Sequence, residues 1–159
     1  AAVVALGQIA LGTDKKDTIQ AAMVPVGRAL RTDASPVVRQ QAAVVIGQQK
    51  VDEAAPAVVT DLVEAMRGER ETAVRKEVAV AVGRYGKRAA QAVAPLTAAL
   101  KDDNAAVRAA VADALGRMGD AASAAAPELL PLLKDADKAV RHAAVFALGR
   151  VAPDDTEPV

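Results

Sequence analysis

The sequence predicts an all-α solenoid, a stack of short helix pairs, and three observations carry that expectation. The first is repetition. Val38-Arg39-Gln-Gln-Ala-Ala-Val-Val-Ile46-Gly47 returns as Val74-Arg75-Lys-Glu-Val-Ala-Val-Ala-Val82-Gly83, as Val107-Arg108-Ala-Ala-Val-Ala-Asp-Ala-Leu115-Gly116 and as Val140-Arg141-His-Ala-Ala-Val-Phe-Ala-Leu148-Gly149. Successive glycines stand 36, 33 and 33 residues apart, and a fixed period of this size marks repeat architectures. The second is period: Val38, Ala42, Val45, Ile46 and Gln49 fall at i, i+4, i+7, i+8 and i+11, one stripe of an amphipathic helix. The third is composition. Hydrophobic residues make up 52% of the chain but aromatics only 1%, and about a quarter of all residues are alanine. Small side chains suit closely packed helices, whereas sheets draw on aromatic and β-branched residues.

Taken in order, residues 1–12 hold the end of an incomplete copy, with Ala2, Ala5, Leu6 and Gly7 in motif positions. Full repeats are expected at 13–50, 51–86, 87–119 and 120–152, all within one array over 1–152. Residues 153–159, rich in Pro and Asp, read as a tail or linker. Each full repeat opens on a first helix that carries Pro25, Pro56, Pro95 or Pro127. Proline is tolerated in a first turn and kinks a helix when deeper. Two connections are stretched, Leu11 to Gln20 and Arg67 to Thr72, and read as loops or one-turn helix extensions. The second helices start after capping residues, Ser35 before Pro36, Asn104 and Asp137. They stop at Gly86 and Gly119, placed for the left-handed conformation just past a helix. Gly47, Gly83, Gly116 and Gly149 lie one turn earlier, where glycine costs about 1 kcal/mol relative to alanine. Their recurrence points to a neighbouring helix too close for a Cβ; plain helix ends are the alternative. A lone pair of this size cannot bury its apolar face, and stacked pairs can.

Much chemistry is excluded by inventory. The chain has no cysteine, so no disulfide, thiolate metal site or cysteine nucleophile, and one histidine, so no multi-histidine metal centre. Twenty basic residues balance twenty acidic ones, which argues against a nucleic-acid partner or a membrane surface. No apolar run approaches the ~20 residues of a membrane span and no signal peptide is visible, so a cytoplasmic setting is the default. Serine occurs only as Ser35 and Ser123, both in helix-start positions and neither in a nucleophile motif. Gly83-Arg-Tyr-Gly86 and Gly116-Arg-Met-Gly119 end helices instead of following strands, so they are not phosphate loops. Asp102-Asp103 and Asp154-Asp155 read as solvated turn acids. No catalytic residue, cofactor or metal is expected.

The proline-bearing first helix, the acidic turn and the Val-Arg-x-x-Ala-x-x-Ala-Leu-Gly second helix resemble HEAT repeats. The short bacterial and archaeal form, also found in phycobilin lyase subunits, is the most similar. The resemblance implies a right-handed superhelix and a binding scaffold. It also implies a hydrogen-bonded ladder between turn acids and second-helix arginines. Here an acid stands six residues before each arginine: Asp33 and Arg39, Glu69 and Arg75, Asp102 and Arg108, Asp135 and Arg141. A guanidinium fork can hold a carboxylate and turn carbonyls together; four arginines that bind an anion are the alternative. HEAT-type di-iron hydroxylases need several His-Glu pairs, and this chain has none. HEAT-like glycosylases use aromatic residues, and two in the whole chain make such a pocket a poor fit.

In HEAT-type arrays the second helices line the concave side, which directs attention to positions between the motif residues. One column holds Gln48, Arg84, Arg117 and Arg150; a turn back lie Val44, Val80, Asp113 and Phe146; His142 and Val145 join them in the last copy. The arginine row would receive an acidic protein segment, or would only complement the helix dipoles. Phe146 is either an interface anchor or packs under a following repeat or the tail. His142 reads as a surface histidine, with a pH-sensitive groove contact as the alternative. The function expected is therefore a non-catalytic protein-binding scaffold. The alternatives are a subunit of a phycobilin-lyase-like enzyme or a backbone-directed nucleic-acid binder. The chain opens on Ala1 inside an apolar pattern, as though processed or cut from something longer. Ala2, Ala5, Leu6 and Ile9 form an uncovered stripe, and uncapped ends invite end-to-end self-association.

Overall fold

The computed structural model describes residues 2–13, 16–49 and 56–151. The boundary between the first two full repeats, near 50–55, and the tail at 153–159 lie outside the described residues. Among those described, every regular element is helical. The order is α1 (Ala2–Leu11), α2 (Lys16–Thr32), α3 (Pro36–Gln48), α4 (Pro56–Gly68), α5 (Thr72–Tyr85), α6 (Val93–Ala99), α7 (Ala105–Met118), α8 (Ala126–Leu129) and α9 (Lys138–Val151). Tight 3-10 segments fill Gly86–Ala92, Gly119–Ala125 and Leu130–Lys134. The second helices α1, α3, α5, α7 and α9 pack each on the next, and the first-helix elements form a parallel layer. The core lies between the layers and is built from small residues, among them Ala42, Val78, Leu96, Val111, Leu115 and Leu129, all fully buried.

Several elements differ from the sequence expectation. The first helices of the last two repeats are not continuous: the 3-10 turns precede α6 and flank α8, and the backbone kinks at Ala89 (φ −97°, ψ 28°). Gly86 and Gly119 do have positive φ, at 53° and 62°, but with ψ near −138° and −137° they leave the left-handed helical region. The chain thereby turns straight into the following 3-10 segment, a path a Cβ would hinder. Ser35 stands at a helix start, yet its hydroxyl makes no capping bond. Its own carbonyl takes the Val38 and Arg39 amides instead (both 3.1 Å). Asn104 caps Ala106 N–H at 2.9 Å, and Asp137 caps Ala139 N–H at 2.7 Å. Ser123 lies within a 3-10 segment and is exposed. In α1 the stripe divides: Leu6 is half-buried against the core, while Ala2, Ala5 and Ile9 are exposed.

The motif glycines mark close helix crossings. A Cβ at Gly47 would lie 3.1 Å from the Ala81 Cα, at Gly83 3.0 Å from the Ala114 Cα, and at Gly116 2.9 Å from the Ala147 Cα. These are contacts with backbone, which cannot swing aside, so the glycines set the spacing of the stack.

The turns are held together by arginine. Arg39 donates Nε and Nη2 to the Glu69 carboxylate (2.7 and 3.0 Å) and Nη1 to the carbonyls of Asp33 and Ala34 (2.9 and 3.2 Å). Arg75 does the same to Asp102 (2.7 and 3.0 Å) and to the Arg70 carbonyl, and Arg108 to Asp135 (both 2.9 Å) and to the carbonyls of Asp102 and Asp103 (2.8 and 3.1 Å). The sequence reading matched each arginine with the acid six residues before it. The structure corrects that pairing: each carboxylate partner belongs to the following repeat, and the arginine's own repeat supplies carbonyls, joined for Arg75 by the Thr72 hydroxyl at 3.4 Å. Adjacent turns lie side by side, and each acid is also held in its own turn by amides, as Asp102 is by Asn104 N–H at 2.9 Å. Glu69, the one glutamate of the series, makes the same two-pronged pair and accepts the Arg70 and Glu71 amides, both at 2.9 Å. Arg141 donates to the carbonyls of Asp135 and Ala136 (2.8 and 2.9 Å) and has no carboxylate partner among the described residues.

These pairs displace the carboxyl pKa values. The Arg39 fork, opposed by burial, holds Glu69 below the usual range. Burial alone would raise Asp102, but the bonds from Arg75 and Asn104 outweigh it and lower the net value. Arg108 and the Asp137 amide lower Asp135.

Candidate functional site: the second-helix face

The side chains between the motif positions lie on the face where α3, α5, α7 and α9 stand side by side. Gln48, Arg84, Arg117 and Arg150 are exposed, as are His142 and Val145. Val44, Val80, Asp113 and Phe146 are half-buried. The helical register explains this division: the core stripe points into the array, and residues about 100° away skirt it.

Each arginine of the row lies back over the repeat before it. Arg84 Nη1 donates to the Gly47 carbonyl at 3.2 Å, and Arg150 Nε donates to the Gly116 carbonyl at 3.1 Å. Arg117 packs its Cδ over Gly83 and directs Nε to Asp113 at 2.6 Å. Gly47 and Gly83 are thus each both a point of closest approach and a bare shelf on which an arginine stem rests, while at Gly116 the Phe146 ring takes that place. One bond per guanidinium leaves most of its donors facing solvent. The carbonyls they touch sit at helix C-termini, where positive charge is favoured.

Phe146 rests on the preceding repeat; the tail lies outside the described residues. Its ring occupies the space beside Gly116, 2.8 Å from where a Cβ would stand, and the Arg150 guanidinium carbon is 5.5 Å from its centroid. The ring and cation form a cation–π pair at the C-terminal end of the row. Val145 is 63% exposed.

The face is shallow. Between α3 and α5 there is a hollow of about 30 Å³ lined by Val44, Gly47, Glu77, Val80 and Arg84, room for about one water. Larger openings lie at the turns and at the edge of this face beside His142. One of about 490 Å³ borders the turns at Asp33, Arg39, Glu69 and Arg70. Another of about 560 Å³ spreads over Asp137, Lys138, Ala139 and His142 at the start of α9. Among the described residues no three acidic or histidine groups converge as metal ligands, and no helix is long and apolar enough to cross a membrane.

Two arrangements have no counterpart in the sequence reading. Tyr85, buried, donates its hydroxyl to the Ile46 carbonyl at 2.9 Å, and burial raises its pKa. On the first-helix layer Asp61 lies against Gly27 and accepts Arg31 Nε at 2.7 Å, while Arg31 also reaches Glu64 at 3.0 Å. Burial raises Asp61 against the pull of Arg31. Gly27 was the available signal, a glycine inside a first helix where nothing else called for one.

The family description "HEAT repeats" matches residues 59–126, and "HEAT-like repeat" matches 117–151. Residues 59–151 are a HEAT-repeat array. Solved structures agree on the fold. A designed armadillo repeat protein in complex with the peptide (KR)4 superposes with a TM-score of 0.72 at 22% identity, covering 94% of this chain and 74% of that one. The complex of CpcE and CpcF of phycocyanin lyase from Nostoc sp. PCC7120 gives 0.67 at 23%, covering 94% and 57%. Human deoxyhypusine hydroxylase gives 0.63 at 24%, covering 87% and 44%. Likeness at this level is likeness of fold, since one scaffold hosts many activities. No protein of curated function matches the sequence significantly.

Proposed function

We propose that the HEAT array is a non-catalytic scaffold that holds an extended acidic segment of a partner protein along the second-helix face. The observation that carries this reading is the row Arg84, Arg117 and Arg150. Three guanidinium groups recur one per repeat on an exposed and shallow surface, each stem resting on the repeat before it. A shallow strip with periodic charge fits an extended chain better than a compact ligand, which wants a concave pocket of several hundred Å³. Guanidinium groups recognise carboxylates by paired hydrogen bonds, and Phe146 supplies an apolar contact at one end. The armadillo relative, bound to a basic peptide, supports peptide capture as a use of this architecture; here the charge is reversed. The test is fluorescence anisotropy with labelled acidic, neutral and basic peptides of equal length. The acidic peptide binds, weakens as salt rises, and loses affinity at least tenfold in the Arg84→Glu, Arg117→Glu, Arg150→Glu triple variant. Equal binding of all three peptides, or an unchanged affinity in the variant, refutes the reading.

A further inference from the structure

The three arginines of the row do not keep the same company. The residue four before each one, a turn away on the same helix face, is Val80 for Arg84, Asp113 for Arg117 and Phe146 for Arg150. Only the middle arginine has a carboxylate beside it, and it uses it. Arg117 Nε donates to Asp113 at 2.6 Å, in a pair whose side chains are 54% and 44% exposed. Arg84 and Arg150 bond instead to carbonyls, those of Gly47 and Gly116. A carbonyl fixes a guanidinium in place without cancelling its charge. Glu77 lines the same hollow as Arg84 but forms no ion pair with it among the described residues.

These bonds also leave usable edges open. Arg84 is held through Nη1, which leaves its Nε–Nη2 edge. Arg150 is held through Nε, with its guanidinium carbon 5.5 Å from the centre of the Phe146 ring, which leaves its Nη1–Nη2 edge. Each such edge offers two parallel N–H donors, the geometry that takes a carboxylate in paired bonds. Arg84 and Arg117 stand in the interior of the array, on α5 and α7, and both are exposed there. The column therefore owes its accessibility to its place on the helix, not to an end of the chain.

We infer, resting on the peptide-binding reading above, that Asp113 silences the middle of the row, so that this face selects two carboxylates two repeats apart with an uncharged residue between them. Neighbouring helices pack about 8–10 Å apart and an extended chain advances about 3.3 Å per residue, so two repeats correspond to about five residues. The segment that fits has Asp or Glu at two positions about five apart, each next to an apolar residue that meets Val80 or Phe146. It has no acid between them. A carboxylate at the middle position finds a guanidinium whose charge is already matched, with the like charge of Asp113 beside it. Repulsion of that kind discriminates between partners more than it sets overall affinity. Asp113 is thus a specificity-determining residue that acts through Arg117.

Fluorescence anisotropy at low salt tests this with two labelled peptides of equal length and equal charge. In one, two glutamates stand about five residues apart with glutamine between them; in the other they stand about three apart, so that one of them falls at Arg117. The unaltered chain binds the first peptide at least about fivefold tighter. Asp113→Asn keeps the shape and removes the charge, and the second peptide then gains at least about threefold, which narrows the preference. A preference between two peptides on one folded protein is not moved by a change in stability. Arg117→Ala weakens the first peptide by less than about twofold, whereas Arg84→Ala and Arg150→Ala each weaken it at least about fivefold. Equal binding of the two peptides by the unaltered chain, or a preference that survives Asp113→Asn unchanged, overturns the role of Asp113 and leaves the scaffold reading standing. Two acidic peptides that bind no better than a neutral one overturn the scaffold reading itself, and the role of Asp113 with it.

Discussion

Truncating Arg75 to alanine removes the two-pronged bond to Asp102 (2.7 and 3.0 Å) and the bond to the Arg70 carbonyl. Asp102 keeps the Asn104 amide at 2.9 Å but loses its cation. The two side chains are only 19% and 9% exposed, so water replaces the lost partner poorly. Hydrogen bonds to charged groups contribute about 1.5–3 kcal/mol each, less where solvent can enter. The rim position puts the cost of Arg75→Ala at about 1–3 kcal/mol, short of the cost of breaking a fully buried pair. Arg117→Ala is the control: its pair with Asp113 is 54% and 44% exposed, so truncation changes stability by no more than about 0.5 kcal/mol. Urea denaturation followed by far-ultraviolet circular dichroism measures both. A cycle with Asp102→Ala isolates the pair and returns a coupling of at least about 0.5 kcal/mol. Arg117→Ala as costly as Arg75→Ala, or a cycle with no coupling, refutes the division into ladder and surface arginines.

Gly83→Ala and Gly116→Ala each destabilise by about 1–2 kcal/mol, because a Cβ forces neighbouring backbone outward. Gly149→Ala, with open space at its Cβ position, gains up to about 1 kcal/mol from helix propensity; denaturation midpoints in the reverse order contradict the close-crossing account. Tyr85→Phe leaves the packing but removes the hydroxyl bond to Ile46, and lowers stability by about 0.5–1.5 kcal/mol in the same assay. The lowered carboxyl pKa values of Glu69, Asp102 and Asp135 contribute stability at neutral pH that is lost as pH falls through their folded-state values. The melting temperature is therefore level near neutrality and drops below about pH 4.5. Asp61, raised by burial, acts in the opposite sense, so Asp61→Asn compares more favourably with the unaltered chain at pH 7 than near pH 4; a larger relative gain at the acid end contradicts that.

The register of the second helices was legible because the same stripe returns at one period: Val38, Val74, Val107 and Val140 mark it, and the last three are buried while Val38 is half-buried. The fold class follows from repetition alone, since a unit that cannot bury its own face must stack. The columns beside the stripe were legible for the same reason. What covers them was not. Phe146 turned to the preceding repeat because Gly116 leaves a bare shelf there, a fact about two helices that no single helix contains. Pro95 and Pro127 do fall in the first turns of α6 and α8, as their sequence positions suggest, but the 3-10 segments ahead of those helices carry no such signal. The positive φ of Gly86 and Gly119, which launches the 3-10 turns, depends on how the chain reverses between layers. The ladder shows the division most plainly. Sequence placed four acids and four arginines at a spacing of six, but a carboxylate chooses its partner by distance, and stacking brings the next turn, not its own, within 3 Å. Local pattern determined which residues face inward; only the packing of one repeat on another decided which of them meet, because those contacts join residues about thirty positions apart.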